Sequence, residues 1–287
     1  MVKIGFNVLA WAAGLPEHLI PITEKLKGLG YDGVEFAIDQ QSTAVYQRFG
    51  AHLREIGLES TCVLVLGPEE NPVSESAAVR AKAVDFLRAS IDRAHALGSG
   101  LIAGPFHSAF ATFTRREPQP EEYERSAEVL RKAGEYAAQA GIILTPEALN
   151  RFECYLCNTM EQLVELIRRV DHPNVKAMFD THHANMEEKK LKAAIETVAP
   201  LLVHVHISEN DRGTPGDGHI PWDETFAALA EANYSGWLTI EAFTRNDPAF
   251  ANAINVWREF SKPWDVAEKG LQFIRQMSAK HGLAVMP

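Results

Sequence analysis

Cysteine is scarce in this chain. It has three in 287 residues: Cys62, Cys154 and Cys157. An odd, low count argues against a disulfide framework and fits a reducing compartment. Cys154 and Cys157 have the spacing of half a zinc site, but no second pair completes it. Two local thiols are the expectation. Long apolar runs are also missing. None approaches the ~18 residues of a membrane span. Met1-Val2-Lys3-Ile4-Gly5-Phe6 enters strand character at once, without the basic start and apolar stretch of a secretory signal. A cytoplasmic protein with no membrane partner is expected.

Positive charge is short as well. Lys and Arg total 28 against 38 Asp and Glu, a net charge of −10. Such a chain repels a phosphate backbone unless it carries a local basic stripe. Its most basic stretches, Glu188–Lys192 and Thr114–Arg116, read as solvated helix or loop surface, so no nucleic-acid partner is expected. No Gly-x-Gly-x-x-Gly follows the first strand-like run, which weakens a dinucleotide-binding reading. No Lys/Arg cluster or Gly-rich nest marks the strand-end loops, which argues against a phosphorylated substrate.

What is present is an ordinary globular composition, 46% apolar and 23% charged, in a length suited to one α/β barrel of ~250 residues. Eight β-rich runs recur: Lys3–Val8, Gly33–Ile38, Glu59–Leu66, Gly100–Phe106, Ile142–Glu147, Val175–Asp180, Leu202–Ser208 and Leu238–Phe243. Segments with helical apolar spacing follow, such as Tyr123, Ala127, Leu130, Ala133, Tyr136 and Ala137 within Glu121–Ala140. Glycine marks the helix-to-strand junctions at Gly30, Gly57, Gly98, Gly141 and Gly236. These turns are short, whereas insertions at Gly67–Ser76, His107–Pro120, Glu209–Pro221 and Thr244–Pro263 lie at the other ends of the strands. The pattern predicts a (β/α)₈ TIM barrel, one domain over residues 1–287, with its site on the rim of long loops.

Four metal-compatible side chains sit at the downstream ends of consecutive runs: Glu147, Asp180, His206 and Glu241. They are spaced 33, 26 and 35 residues apart, about one βα unit each. Any one carboxylate could cap a helix or pair with a lysine. Four strand ends in succession point instead to one divalent metal on the barrel rim. A carboxylate-rich set favours Mn²⁺, Mg²⁺ or Co²⁺ in octahedral geometry, leaving positions for a substrate with adjacent oxygens. His204 shares a strand face with His206 and is expected to fill the barrel interior. Glu209 reads as a surface loop carboxylate.

The segments Glu147-Ala148-Leu149-Asn150-Arg151-Phe152-Glu153, Asp180-Thr181-His182-His183-Ala184-Asn185, His204-Val205-His206 with Arg212 downstream, and Ile240-Glu241-Ala242-Phe243 resemble the ketose 3-epimerases. These are the D-tagatose and D-psicose (D-allulose) 3-epimerase family of the xylose-isomerase-like barrels. The resemblance spans essentially the whole chain. It implies Glu147, Asp180, His206 and Glu241 as ligands of one divalent ion, Mn²⁺ first, and Glu147 and Glu241 as the acid–base pair. Glu153, His183 and Arg212 would contact substrate oxygens, with Phe243 in the pocket wall. The implied reaction inverts C3 of an unphosphorylated ketose through a metal-stabilised enediolate. The implied assembly is a homodimer or homotetramer. A keto-inositol dehydratase-like lyase, or another sugar isomerase on the same barrel, is the alternative. The first four strands depart from the family. There Trp11 is expected as a pocket aromatic, and His107 and Phe110 as the far end of the pocket. His182 stands where an apolar residue would be expected.

Overall fold

The computed structural model describes residues 1–286. Eight parallel strands form one sheet: β1 (Lys3–Asn7), β2 (Gly33–Ala37), β3 (Glu59–Val63), β4 (Leu101–Gly104), β5 (Ile143–Pro146), β6 (Ala177–Asp180), β7 (Leu202–Ile207) and β8 (Trp237–Ile240). Their order is β5-β4-β3-β2-β1-β8-β7-β6. A parallel bridge between Leu144 and Val175 joins the two ends, with Leu144 N donating to Asn174 O and Lys176 N to Leu144 O, both at 2.8 Å. The expected TIM barrel is therefore present. The strands are one to three residues shorter than the apolar runs, mostly because pairing stops where the backbone turns out into the long loops.

The α-helices are α1 (Ile20–Leu29), α2 (Thr43–Ile56), α3 (Ala77–Leu97), α4 (Pro120–Ala140), α5 (Met160–Val170), α6 (Thr181–Glu187), α7 (Leu191–Val198), α8 (Trp222–Glu231), α9 (Pro248–Ala253) and α10 (Pro263–His281). Local chemistry sets their ends. Glu122 Oε2 accepts from Gln119 N at 2.8 Å to start α4, and Thr159 and Gln162 exchange similar bonds at α5. Gly30, Gly57, Gly98 and Gly141 end their helices in the left-handed region, as expected. Gly236 does not. Asn233 takes the left-handed backbone after α8 (φ 54°), and Gly236 is needed for space, since a Cβ there would lie 2.2 Å from Val203 O. Among the described residues, no helix is long and apolar enough to cross a membrane.

Alternation along the strands separates two environments. Phe6, Val34, Phe36, Val205 and Ile207 face the helices and belong to the main apolar core. Their neighbours Asn7, Glu35, His204 and His206 point into the barrel, fully buried. The interior is thus partly polar and already carries ionisable groups beneath the rim.

The loop after β7 departs from its reading. Glu209 is buried rather than solvated. Its Oε1 accepts from Asn210 N (3.0 Å) and Ile220 N (3.2 Å), and its Oε2 from Gly216 N (2.8 Å) and Trp222 Nε1 (3.0 Å). One carboxylate organises the whole 209–221 insertion.

Two outcomes follow from this packing. Gly50 lies in α2 where a Cβ would meet Leu97 O at 2.3 Å. Helix propensity alone favours alanine by about 1 kcal/mol, but backbone overlap should win by ~1–3 kcal/mol. Gly50→Ala should therefore melt roughly 2–10 °C lower by calorimetry; an unchanged or higher Tm refutes the close approach. Glu209→Gln turns an amide donor toward N–H groups and should cost ~1–3 kcal/mol. Limited proteolysis should then cut within residues 209–221 faster than in the parent, and equal rates would count against the carboxylate's role.

Candidate active site

The C-terminal ends of β5 to β8 bring the four expected residues together. Glu147 follows β5, Asp180 ends β6, His206 is the penultimate residue of β7 and Glu241 follows β8. All four are buried. One donor atom from each of Glu147, Asp180 and His206 lies within 4.8 Å of the others. Glu241 stands beside them, its Oε1 3.5 Å from His206 Nδ1, and Asp180 Oδ2 is also 3.5 Å from that nitrogen.

The backbone fixes each position. Glu147 N donates to Gly104 O at 2.9 Å and Glu241 N to Ile207 O at 3.3 Å. Asp180 serves twice. Its Oδ1 caps α6 by accepting from His182 N (2.6 Å) and His183 N (3.1 Å). Its Oδ2 faces the quartet and accepts from Ser208 Oγ at 3.1 Å. The helix-cap reading of this carboxylate and the ligand reading are therefore both compatible with its geometry.

Arg212 is the main counter-charge. Its Nη1 lies 3.2 Å from Asp180 Oδ2 and 2.7 Å from Glu241 Oε2, and its Nη2 lies 2.7 Å from His183 Nε2. Among the nearby carboxylates it hydrogen-bonds Asp180 and Glu241 and not Glu153. Its backbone is left-handed (φ 65°), a strained state for a non-glycine residue. Two bonds pin it there: Arg212 N to Glu209 O at 3.0 Å, and Phe243 N to Arg212 O at 2.9 Å. The guanidinium also sits 4.8 Å from the Phe243 ring centroid.

Burial and crowding shift the ionisation of these groups. Burial, reinforced by Asp180 and Glu241, raises Glu147 well above the carboxylate range despite His206 and Arg212. Burial alone would also raise Asp180, but Arg212, His183 and His206 hold it well below its usual value. Burial would lower His206, yet Glu241, Glu35 and Asp180 hold it well above the histidine range. Burial and then Arg212 push His183 down, and push His182 down to about 4. Three carboxylates thus hold a proton on His206, the kind of excess charge a divalent cation can balance in its place. Glu147 Oε1 and His206 Nδ1 are buried with no hydrogen-bond partner among the described residues. Hard oxygens and one unpaired imidazole nitrogen at this spacing fit a divalent ion.

The quartet opens into a cavity of about 660 Å³. Glu153, His183, Arg212 and Phe243 line it. His182 lines it too, with Nδ1 3.1 Å from Glu209 O. Trp11 does not. It is buried against Phe6 (5.0 Å between centroids) and Trp264 (4.7 Å), and Leu9 and Ala13 take the wall instead. The short 3₁₀ turn Val8–Ala10 swings the chain outward before Trp11. His107 is also absent from the lining, while Phe110 is present. His107 is fully buried and supports the site from behind, its Nε2 2.8 Å from Glu147 O. Cys154 and Cys157 are buried free thiols, as expected.

Two residues escaped the sequence reading. Glu35 on β2 lies beneath the quartet, with Oε1 2.8 Å from His206 Nε2. Asn7 on β1 places its Nδ2 3.0 Å from Glu35 Oε1 and 3.4 Å from Glu241 Oε1. A charged residue inside the run Gly33-Val34-Glu35-Phe36-Ala37 was the available signal.

Comparison with known proteins agrees with this geometry. The xylose isomerase-like TIM barrel family model matches residues 23–277. D-psicose 3-epimerase of Agrobacterium fabrum is 33% identical over 271 residues, covering 93% of this chain and 94% of that protein. D-psicose 3-epimerase of Ruminiclostridium cellulolyticum is 33% identical over 268 residues, covering 90% and 92%. A solved L-ribulose 3-epimerase superposes with a TM-score of 0.92 at 27% identity, covering 98% of this chain and 96% of that one. With its barrel, its four strand-end residues and these relatives, the chain belongs to the xylose-isomerase-like TIM barrels and, within them, to the ketose 3-epimerases, a group of carbohydrate-epimerising isomerases.

Proposed function

We propose that this protein inverts C3 of an unphosphorylated 2-ketose of the D-tagatose, D-psicose/D-fructose or L-ribulose type. The observation that carries the reading is the convergence of Glu147 and Glu241, from strands three places apart in the ring, on one buried donor set that includes Asp180 and His206. These four residues would hold one divalent cation, Mn²⁺ first. When bound, such an ion would supply Lewis-acid stabilisation of the negative charge that develops on the substrate.

The proton work falls to the two glutamates. The C3 proton is acidified by the neighbouring C2 carbonyl. One carboxylate removes it, leaving an enediolate in the substrate, and the other returns a proton to the opposite face. Glu147 and Glu241 share this work, one removing the proton and the other supplying it for one epimer. The roles reverse for the other. Arg212, His183 and Glu153 would orient the oxygens around C1–C3, and Phe243, stacked near the guanidinium, would close the wall. Neutral His183, held by Arg212 at Nε2 and by Asn150 at Nδ1, adds no charge to this wall. Trp11 and His107 are left out of the substrate contacts because neither reaches the cavity.

Incubation with Mn²⁺ and D-fructose, D-psicose, D-tagatose or L-ribulose in D₂O should yield the C3 epimer carrying one solvent deuterium at C3, read by NMR. Chelation should abolish turnover and Mn²⁺ should restore it. Glu241→Gln at saturating Mn²⁺ should lower kcat ~10²–10⁴-fold. Full turnover by that variant would sink the acid–base assignment. An ultraviolet-absorbing enone from a keto-inositol, with no epimer from any ketose, would move the reading to a dehydratase.

A further inference from the structure

Glu35 lies on the opposite side of His206 from the quartet, and nothing in the proposed proton transfer uses it. Its carboxylate is fully buried and meets side chains of three other strands, β1, β3 and β7. Oε1 takes His206 Nε2 at 2.8 Å and Asn7 Nδ2 at 3.0 Å. Oε2 takes Thr61 Oγ1 at 2.9 Å. His204 Nε2 also lies 2.9 Å from Oε2, close but poorly aligned for a hydrogen bond. A buried carboxylate with this many donors around it is an organising centre.

An imidazole presents a lone pair on one nitrogen when the other carries the hydrogen. Which one is free depends on the partner of its neighbour. Glu35 is acceptor-only, so it selects the Nε2–H form of His206. Nδ1 is then the nitrogen that faces Asp180 and Glu241, 3.5 Å away on each side, and the one that would give up its proton and offer a lone pair to a cation. Asn7 ties the same centre to Glu241 Oε1 at 3.4 Å.

We infer that Glu35 is a positioning residue for the metal centre: it fixes the tautomer and rotation of His206 from within the barrel and, through Asn7, steadies Glu241. It touches neither cation nor substrate. This rests on the ligand set proposed above, so the test separates the two. A glutamine at position 35 keeps the shape but offers one oxygen and one NH₂. With the oxygen turned to Asn7 and His206, its NH₂ faces Thr61 and His204. Turned the other way, its NH₂ meets the His206 Nε2–H.

Calorimetric titration of metal-free protein with Mn²⁺ is the measurement. Wild type should bind one ion, and Glu35→Gln should bind it ~10–100-fold more weakly. Thr61→Val, which removes one bond to Glu35 without touching His206, should bind within a few-fold of wild type. If wild type binds no Mn²⁺, the ligand reading itself falls, and this inference with it. If wild type binds and Glu35→Gln binds equally well, only the positioning role is overturned. An equal loss in Thr61→Val overturns it too, by showing general softening of the interior. Should Glu35→Gln not fold, ¹⁵N NMR of histidine-labelled wild type loaded with Zn²⁺ decides. A slowly exchanging Nε2–H on His206 with Nδ1 as the ligating nitrogen supports the role, and the reverse tautomer overturns it.

Discussion

Three carboxylates, Glu147, Asp180 and Glu241, are held together out of water at the mouth of the barrel, and Arg212 is the cation that makes this arrangement tenable. An uncompensated buried charge costs several kcal/mol. Against that, the left-handed backbone of Arg212 costs of order 1–3 kcal/mol. The charge cost outweighs the strain, so the chain accepts a left-handed residue to bring a guanidinium between Asp180 and Glu241. Glu209 makes that strain sustainable. By collecting Asn210, Gly216, Ile220 and Trp222 around one carboxylate, it turns a long insertion into a rigid bracket. The bracket carries Arg212, whose carbonyl in turn ties it to Phe243 just beyond β8.

The same economy runs through the strand ends. Asp180 caps α6 with one oxygen and faces the quartet with the other. Ser208 Oγ lies within hydrogen-bonding distance of both Asp180 Oδ2 and Glu241 O, and its one hydroxyl proton can serve either. Thr181 Oγ1 reaches Ser208 O at 2.7 Å across β6 and β7. These bonds cross between neighbouring strands near the rim, so a displacement of one strand end is transmitted to the next. A site that must hold donors to within a fraction of an ångström needs that coupling.

Much of this was legible in the sequence, and the parts that were not share a cause. The barrel was readable because apolar periods, glycine stops and eight β-rich runs agree with one another. The quartet was readable because ligand-type residues recur at one structural position, the strand end, and that position can be counted. Glu35 occupies the third residue of an ordinary five-residue strand, where alternation permits a polar side chain on either face. Only the closure of the barrel makes its face the inside. Trp11 was misplaced because a three-residue 3₁₀ turn redirects the chain, and no propensity marks so short a turn. Glu209 looked solvated because its partners are backbone N–H groups, and a string of residue types does not show where those converge.

The two halves of the barrel contribute unequally. β5 to β8 bring the ionisable groups to the cavity. The loops and strands from β1 to β4 line it with Leu9, Ala37, Ile38, Val63, Leu64 and Phe110. An unpaired buried hydroxyl costs ~1–3 kcal/mol, so a polyhydroxylated substrate gains by placing its reacting carbons against Glu147, Arg212 and Glu241. Its remaining carbons then lie toward the apolar wall or the open mouth. On the proposed reading, that asymmetry orients the ketose, because the side chains of that wall offer no donors or acceptors. Discrimination concentrates on the few oxygens beside the quartet, where a misplaced hydroxyl would leave Arg212 or Glu153 unpaired. The polar interior behind His206 serves the same end. Glu35, His204 and Asn7 form a polar layer beneath the rim, separate from the apolar wall.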